Sequence, residues 1–423
     1  MWVRGGVCAV ADRVILHVDQ NSFYASVEML RYPALRDVPC AVAGDPVNRH
    51  GIILAKNHIA KNAGVKTAET IWEAKQKCPD LILVPPDYAR YLYYSRLARK
   101  MYCEYTDRVE PFGIDECWLD LTGCPRDDGL DVAEELRRRV KEELGLTVSI
   151  GVSWNKIYAK LGSDLRKPDA VTAITRDNYL DVVYPLPVED LIYVGRATAH
   201  KLRRIGVRTI GQLAALGPTY LRSVFGVVGL NLHAFATGLD ETPVAETERE
   251  NTVKSVGNSL TTHHDLYTEQ EIKAVTYMLS ESVTSRLRDA GMAARTIQIS
   301  MRDYQLYNFE RQAPLPFPTQ LCSEIAPAAT ELILEHFERG QKIRSLGVRA
   351  CNLIPISRLK QQSYLAREVK REAMLRLEET IDDLRGRYGG LSVRRGISLV
   401  DRTLTEHDIK RENVIHPVGF FGP

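Results

Sequence analysis

The chain has 423 residues, a length that exceeds one ordinary domain and indicates roughly two to four domains. Its composition, 44% hydrophobic and 26% charged, is typical of a soluble globular protein with enough apolar side chains for several cores. The formal net charge of +2 does not identify a partner, so a nucleic-acid site would have to come from local clusters of charge.

Cysteine usage and hydropathy exclude several other classes. None of the eight cysteines forms a C-x-x-C pair, so neither a zinc site nor a disulfide scaffold is indicated, and a cytoplasmic location is expected. The apolar stretch at the N-terminus is too short and broken for a signal peptide. No long uninterrupted apolar run follows, so we expect no transmembrane helix.

Predicted strands alternate with predicted helices over the first ~180 residues, which favours an α/β core. The predicted strands span residues 14–18, 40–43, 51–55, 81–84, 118–121 and 147–152. The predicted helices span residues 22–30, 57–63, 67–77, 87–105, 131–143 and 155–164.

The character of the chain changes at residue 191. Residues 191–239 contain no Asp or Glu but six basic residues, and glycines interrupt the helical pattern, which predicts a small helical module with an acid-free surface. A polar linker follows, and a second α/β unit begins at Lys254, with predicted strands at 296–301 and 347–353 and a predicted helix at 320–337. A charged, helix-rich tail begins at Arg358.

Three acidic residues lie at the ends of predicted strands. Asp19 ends an apolar strand, and the neighbours Asp115 and Glu116 precede another. Such carboxylates are costly to bury and repel one another, and one or two divalent cations would relieve both effects. The alternative is that Asp115 and Glu116 form a turn and that Asp19 caps a helix.

Five segments resemble motifs of the Y-family DNA polymerases in that family's order, from about residue 14 to about residue 400, most closely in its bacterial DNA polymerase IV branch. The segments are VDQNSFYASVE, NHIAKNAGVKTAETIWEAKQKCP, the Tyr91-x-x-x-Ser95 pattern, GIDECWLD and GVSWNKIYAKLGSDLRKPDA. The second acidic motif is usually S-I-D-E-A-Y-L-D, so Gly113, Cys117 and Trp118 depart from it while both acids remain.

The resemblance implies a centre that binds two Mg²⁺ ions. Asp19, Asp115 and Glu116 match the catalytic metal carboxylates, and the backbone carbonyl of Gln20 matches a further metal ligand. Two such ions stabilise both the attacking and the leaving oxygen in phosphoryl transfer.

The resemblance also implies a nucleotide site. The backbone N–H groups of Ser22 and Phe23 match triphosphate contacts, a role that suits the start of a helix. Tyr24 matches the steric gate against a ribose, with a core aromatic residue as the alternative, and Lys167 matches a triphosphate contact.

The predicted fingers depart from the family at two positions. His58 and Lys61 stand where the family usually has Tyr and Arg. Both can donate to phosphate, although Lys lacks the bidentate fork of Arg and a His can be neutral near pH 7. The alternative for His58 is an exposed polar residue on a helix.

The acid-free module resembles two helix-hairpin-helix elements, which direct backbone N–H groups at DNA phosphates without reading bases. The DNA-binding candidates here are Gly195, Arg196, Lys201, Arg203, Arg204 and Gly226. The family usually has Gly where Tyr193 stands, so a distorted first hairpin is expected. The alternative is a solvated basic face on a structural bundle.

The segment KSVGNSL opens a domain that resembles the little finger of the family. Arg295, Arg302, Arg344 and Arg349 are candidates for contacts to the template or primer backbone, each with an ordinary surface charge as the alternative. In the tail, Gln361, Tyr364 and Leu365 lie where relatives carry a Q-L-x-L-F motif for a sliding clamp, although Gln362 and Leu365 depart from it. A simple linker is the alternative.

The resemblance implies a multidomain α/β fold of the right-hand polymerase type. The expected parts are an N-terminal extension (1–13), a palm (14–34 and 81–185), small fingers (35–80), a helix-hairpin-helix thumb (186–240), a linker (241–253), an α/β little finger (254–357) and a tail (358–423).

The implied function is low-fidelity, template-directed DNA synthesis past lesions, on primer–template DNA with dNTPs, by a monomer that does not bind membranes. Small fingers check the shape of a base pair loosely, and no second acidic set suits a proofreading exonuclease. The rivals are a non-catalytic scaffold that binds DNA and a clamp, and a nucleotidyl cyclase. The retained acids oppose the first rival, and the basic hairpin module opposes the second.

Overall fold

The computed structural model of the protein describes residues 12–44, 51–247, 253–338, 340–359, 366–408 and 410, with only the backbone described at 366–368. These residues form two compact units, one of residues 12–43 and 53–247 and one mainly of residues 253–410. None of the described helices is long and apolar enough to cross a membrane.

The first unit contains eight strands among the described residues. They are β1 (Ile15–Gln20), β2 (Cys40–Ala43), β3 (Ile53–Lys56), β4 (Ile82–Val84), β5 (Val109–Pro111), β6 (Glu116–Asp120), β7 (Val148–Ser153) and β8 (Val171–Ala173). The helices are α1 (Phe23–Arg31), α2 (His58–Asn62), α3 (Ile71–Lys77), α4 (Tyr88–Tyr102), α5 (Gly129–Leu144), α6 (Lys156–Leu165), α7 (Tyr179–Val182), α8 (Arg196–Arg204), α9 (Ile210–Ala214), α10 (Pro218–Phe225) and α11 (Val227–Thr237).

The larger sheet of this unit has the order β5-β6-β1-β7-β8. The apolar strand β1 is buried along its whole length and pairs antiparallel with β6 on one side and β7 on the other. Helix α6 crosses β7 at Gly151, where a Cβ atom would lie 1.9 Å from the carbonyl oxygen of Ala159. This close approach brings the side chains of α6 onto the face of β1 that carries His17 and Asp19.

A smaller sheet with the order β3-β2-β4 forms a separate layer with α2 and α3. Its core contains Ala41, Ile53, Ala60, Ala74 and Leu81. Helix α3 starts with a capping box in which Thr70 and Glu73 satisfy each other's backbone amides. This layer lies in the segment predicted to form the fingers.

Helices α8 to α11 form the helical module, as the sequence predicted. Its core contains Leu202, Leu213, Leu221 and Leu232, which pack together with Trp154 near the start of α6. Gly226 joins α10 to α11 at φ 65° and ψ −145°, a conformation that requires glycine.

The second unit is a four-stranded antiparallel sheet with the order β11-β10-β12-β9, together with four α-helices and two 3-10 helices among the described residues. Its elements are β9 (Ser255–Leu266), α12 (Glu269–Asp289), β10 (Met292–Asp303), β11 (Asn308–Thr319), α13 (Cys322–Leu334), β12 (Ile343–Pro355), α14 (Ala366–Tyr388) and α15 (Arg402–Thr405). The 3-10 helix Gly396–Leu399 lies between the last two helices. Residues of α12, α13, β10 and β12 fill one core.

The charged tail is bound to this unit through buried ion pairs. Glu378 of α14 is 3% exposed, accepts from the backbone N–H of Cys322 and pairs with Arg288 at 2.7 Å. Arg395 pairs with both Glu378, at 3.5 Å, and Glu281, at 2.8 Å. Because a lone charge is costly to bury, these partners depend on one another. Glu378 and Arg395 belong to the tail segments 377–389 (LEETIDDLRGRYG) and 392–396 (SVRRG), which thus have a structural role that the sequence did not reveal.

Candidate active site

The three predicted metal carboxylates meet at the centre of the larger sheet. Asp19 of β1 is the direct antiparallel partner of Glu116 of β6. The backbone N–H of Gln20 donates to the carbonyl oxygen of Asp115 at 3.0 Å, which fixes the residue just before β6 beside the end of β1. Strand pairing therefore brings the two acidic motifs together, although they are far apart in sequence.

Two lysines contact the carboxylates. Lys160 of α6 donates to Asp19 at 3.3 Å and to Glu116 at 2.8 Å, and Lys167 donates to Asp19 at 2.8 Å. Both lysines also pair with Asp164, at 3.4 and 2.7 Å. The sequence predicted Lys167 for this site and missed Lys160, for which the available signal was its i, i+4 spacing from Asp164 on α6.

Burial makes the carboxylate cluster electrostatically unfavourable by itself. Removal from water raises the pKa of Asp115 to about 7, with the charges of Asp19 and Glu116 adding to the effect. Burial likewise raises the pKa of Asp19, against the opposing influence of Lys167. Among the described residues no ion pair joins Asp115 to a cation. The three carboxylates are partly buried and have too few cationic partners to balance their charge. Their oxygen atoms are the ligands that hard divalent cations such as Mg²⁺ prefer.

Two of the departures in the second acidic motif, Cys117 and Trp118, are buried residues of β6. Trp118 is 3% exposed and donates its indole N–H to the carbonyl oxygen of Lys156 at 2.9 Å. Its ring packs edge-on against His17, with 5.2 Å between centroids. Cys117 is buried, which raises the pKa of its thiol to about 12 and leaves it an unreactive core residue.

A tight turn leads from β1 into α1. Ser22, the residue before the helix, has left-handed dihedral angles (φ 47°, ψ 40°) and is exposed. Asn21 holds the turn in place: its amide nitrogen donates to Ser149 Oγ at 2.9 Å, and its side-chain oxygen accepts from the backbone N–H of Asp169, also at 2.9 Å. The first turn of a helix has backbone N–H groups without partners inside the helix, which suits an anion.

Tyr24 follows this turn, and its ring stacks on Tyr91 with 4.3 Å between centroids and 12° between planes. Tyr88 contacts the same ring edge-on at 6.1 Å. Tyr91 is itself held by a 2.7 Å hydrogen bond from its hydroxyl to Glu28. Phe23 is buried, whereas Tyr24 remains half-buried. The aromatic stack thus fixes one face of the Tyr24 ring.

The Tyr91-x-x-x-Ser95 pattern connects two parts of the site. One helical turn after Tyr91, Ser95 is buried and donates its hydroxyl to the carbonyl oxygen of Ile114. Ile114 directly precedes Asp115, so the same face of α4 supports the Tyr24 ring and the loop that carries this predicted metal ligand.

The two candidate residues of the fingers, His58 and Lys61, are exposed on α2. Asn57 caps this helix by accepting from the backbone N–H of Ala60 at 2.9 Å. Burial and the nearby charge of Lys61 both lower the pKa of Lys56. Basic groups therefore cluster at this end of the smaller sheet, as a phosphate site needs, but no contact among the described residues joins His58 or Lys61 to the carboxylates.

Comparisons with known proteins identify the family. Residues 18–164 match the model of the impB/mucB/samB family, and residues 253–365 match the model of that family's C-terminal domain. DNA polymerase IV of Acetivibrio thermocellus is 48% identical over 93% of this chain and 99% of its own length. DNA polymerase IV 1 of Bacillus subtilis is 37% identical over 92% of this chain and 94% of its own length.

The chain belongs to the Y-family DNA polymerases. The fold agrees, since a solved Y-family DNA polymerase chimera, Dbh-Dpo4(243-245)-Dbh, matches 81% of this chain and 99% of its own with a TM-score of 0.72 at 22% identity.

The helical module of the polymerase presents two open hairpin turns. Gly195 caps the N-terminus of α8 and Gly226 precedes α11, and a Cβ atom at either would meet nothing within 4 Å. Arg196, Lys201 and Arg204 are exposed. Arg203 is also exposed but pairs with Glu189, an acid just outside the acid-free segment. The predicted basic face is therefore weaker by one free charge than the sequence suggested.

Tyr193 takes the left-handed conformation, with φ 68°. The first hairpin therefore keeps the backbone conformation that a glycine would adopt, so the hairpin is not visibly distorted. Instead, Tyr193 itself is strained, by roughly 1–2 kcal/mol.

The candidate arginines of the second unit of the polymerase differ in their surroundings. Arg302 and Arg349 are exposed and alternate with buried residues of β10 and β12, which places both on the sheet face opposite the core. Arg295 is exposed at an irregularity in β10, and Arg344 is half-buried at one in β12. Arg302 donates to Asn308 at 2.7 Å. The predicted clamp residues Gln361, Tyr364 and Leu365 lie outside the described residues.

A second group of possible metal ligands lies in the second unit. Ligand atoms of His264, Glu271 and Asp401 lie within 4.8 Å of one another. Each already has a structural role, because Glu271 completes a capping box at the start of α12, Asp401 caps α15, and His264 contacts Asp401 at 3.2 Å. This group is separate from the three carboxylates of the first unit.

Proposed function

We propose that the polymerase adds dNMP to a primer 3′-hydroxyl at the centre formed by Asp19, Asp115 and Glu116, and releases pyrophosphate. The family assignment makes the chain a DNA-directed DNA polymerase of translesion synthesis and repair. The observation that supports these residue roles is the pairing of Asp19 with Glu116 beside Asp115, a partly buried acidic set without enough cations of its own. The scaffold alternative has no support from this site, because all three acids are present.

Mg²⁺ is the proposed cofactor, with two ions per site. Asp19, Asp115 and Glu116 would hold them with the backbone carbonyl of Gln20. When bound, such ions lower the pKa of the primer hydroxyl and neutralise the charge of the leaving phosphates. Lys160 and Lys167 contact the same carboxylate oxygens here, so they can orient Asp19 and Glu116 before a cation binds.

The proposed nucleotide site extends from these carboxylates along the turn into α1. The backbone amides of Ser22 and Phe23 would bind the triphosphate together with Lys167, with His58 and Lys61 as further donors from α2. Tyr24 would lie against the sugar. Support comes from the left-handed turn at Ser22, from the stack that fixes Tyr24, and from the position of Lys167 beside Asp19.

Low fidelity is proposed to follow from the size of the fingers. The smaller sheet with α2 and α3 offers only short elements to check the shape of a base pair, so a distorted template base meets little resistance. Primer extension opposite an abasic site or a bulky guanine adduct tests this function, with an undamaged template as the control. We expect extension past at least one of these lesions. Failure at every lesion by an enzyme that copies undamaged DNA would contradict a bypass function.

Contact between the helical module and DNA phosphates gives a prediction for Arg204. Arg204→Glu should weaken binding to all primer–template sequences alike and reduce the slope of log affinity against log salt by about one. The double change of Arg203 and Arg204 to Glu should weaken binding further, although part of its effect would come from repulsion between Glu189 and the carboxylate introduced at position 203. Fluorescence anisotropy at several salt concentrations measures both quantities. A loss confined to one template sequence would contradict phosphate contact.

We also propose that Gln361, Tyr364 and Leu365 bind the replication sliding clamp and that the polymerase acts as a monomer in the cytoplasm. Deletion of residues 361–365 should remove stimulation by the clamp while basal primer extension survives. Primer extension with and without loaded clamp measures this. Residues 419–421 (GFF) are the alternative clamp site, and their deletion is tested in parallel. Equal stimulation of the first deletion variant would show that the clamp contact lies elsewhere.

A further inference from the structure

The first hairpin of the helical module exposes one aromatic residue between buried neighbours. Leu191 and Val194 are 1% and 7% exposed, whereas Tyr193 between them is 63% exposed. Its φ of 68° lies in the left-handed region, which favours glycine. The turn therefore directs a large side chain outward from a backbone conformation that disfavours one.

Folding alone does not account for this residue. A glycine would relieve the strained backbone, and most of the tyrosine ring stays in water. The Tyr193 ring contacts the ring of Phe235 on α11, with 5.9 Å between centroids and 34° between planes. This contact orients the tyrosine ring but does not bury it. A strained residue with an exposed, oriented side chain indicates a role at the surface.

The surroundings of Tyr193 favour a polyanion. Arg196, Lys201 and Arg204 are exposed on the helix that this turn starts, and residues 191–239 contain no acid. A Cβ atom on Gly195 would meet nothing within 4 Å, so the backbone of the turn stays accessible while the ring leans towards α11. A phosphate and the ring can then be accommodated side by side.

We propose that Tyr193 is a DNA-contact residue whose ring packs against the deoxyribose next to the phosphate held by this hairpin. The inference rests on the proposed binding of DNA phosphates by the helical module. The contact is independent of base sequence because every nucleotide offers the same sugar face. It adds a nonpolar contact to a site that otherwise binds through charge and backbone N–H groups.

The nonpolar nature of the contact distinguishes it from its basic neighbours. Binding by Lys and Arg releases counterions, so loss of such a residue changes the salt dependence of affinity. The Tyr193 ring is uncharged, so a variant without the ring releases as many counterions on binding DNA as the wild type does. Loss of the ring should lower the affinity by the same factor at every salt concentration.

The test compares Tyr193→Gly, Tyr193→Phe and Arg204→Glu in the full chain, on one primer–template duplex across a range of salt. Tyr193→Gly should weaken binding about tenfold, the scale of one lost aromatic contact to a nucleotide, with an unchanged salt slope. Its midpoint of urea unfolding should equal or exceed that of the wild type. Tyr193→Phe should bind like the wild type, because it keeps the ring. Arg204→Glu should reduce the salt slope.

Two results would overturn the role of Tyr193: binding by Tyr193→Gly within twofold of the wild type, or a salt slope reduced as much as in Arg204→Glu. Tyr193→Asn guards against a folding failure, since Asn also tolerates the left-handed region. If both small variants were unfolded, the ring would be a structural residue and the inference would fall. Normal DNA binding by Arg204→Glu would contradict the proposed role of the whole helical module. Weakened binding by Arg204→Glu together with normal binding by Tyr193→Gly would contradict the role of Tyr193 alone.

Discussion

Replacing Asp115 or Glu116 by Ala should lower the single-turnover rate of primer extension by about a thousandfold or more. The reason is that each carboxylate would hold cations that stabilise charge in the transition state, and loss of such preorganised stabilisation is expensive. DNA affinity should stay largely intact, because these acids make no contact that attracts phosphate. Rapid-quench extension on a pre-bound primer–template, together with anisotropy for binding, separates the two effects.

The isosteric variants Asp115→Asn and Glu116→Gln sharpen this prediction, since they remove charge with little change in shape. Glu142→Gln is the matched control, because Glu142 is an exposed carboxylate on α5 that pairs only with Arg138 among the described residues. The control should extend primers like the wild type. Robust extension by both Asp115→Ala and Glu116→Ala would contradict the catalytic assignment.

Tyr24→Ala should raise the ratio of ribonucleotide to deoxynucleotide incorporation on the order of a hundredfold, the scale at which a pocket discriminates one small group. The ring is held from behind by Tyr91 and so cannot retreat from a 2′-hydroxyl. The exclusion is steric and penalises the wrong sugar more than it rewards the right one. Extension with dNTPs should survive. Steady-state incorporation of each rNTP and its matching dNTP on one template measures the ratio.

Tyr24→Phe is the control for this prediction, since it keeps the ring and removes only the hydroxyl, and its ratio should match the wild type. Circular dichroism establishes that Tyr24→Ala is folded. An unchanged ratio in the folded variant would remove Tyr24 from the sugar site.

The sequence predicted that the three acids lie at strand ends, because local pattern and family resemblance pointed to the same residues, and the structure places them side by side. Their catalytic role stays a prediction. The apolar run before Asp19 predicted a strand, and β1 is buried along its length. Lys160 was missed because a lysine on an amphipathic helix is usually solvated. Only the crossing of α6 over β7 at Gly151 brings it to the carboxylates, and that crossing depends on tertiary packing.

The second unit was harder to predict, for reasons visible in its elements. Strand β11 carries Pro314, Pro316 and Pro318, which argue against a strand, but it lies at the edge of its sheet, where proline is tolerated. Helix α12 buries Thr276 and Ser280, whose hydroxyls donate to backbone carbonyls one turn earlier. Such polar residues interrupt the apolar periodicity that identifies a helix from sequence.

The tail shows a different limit. Arg288 and Glu378 form an ion pair buried on both sides, yet they lie far apart in the chain. The sequence predicted only a charged, helix-rich tail, and charged residues are normally exposed. Neither partner carries a local signal of the other, and the pair could be recognised only from the fold.

The central claim is that Asp19, Asp115 and Glu116 bind two divalent cations for nucleotidyl transfer. The most direct test counts Mn²⁺, as a spectroscopic substitute for Mg²⁺, bound to the polymerase with a dideoxy-terminated primer–template and the next dNTP. Electron paramagnetic resonance should find two ions per ternary complex for the wild type and fewer for Asp115→Asn, with DNA and nucleotide alone as the baseline. An ion count above baseline that is the same in wild type and variant would contradict the claim.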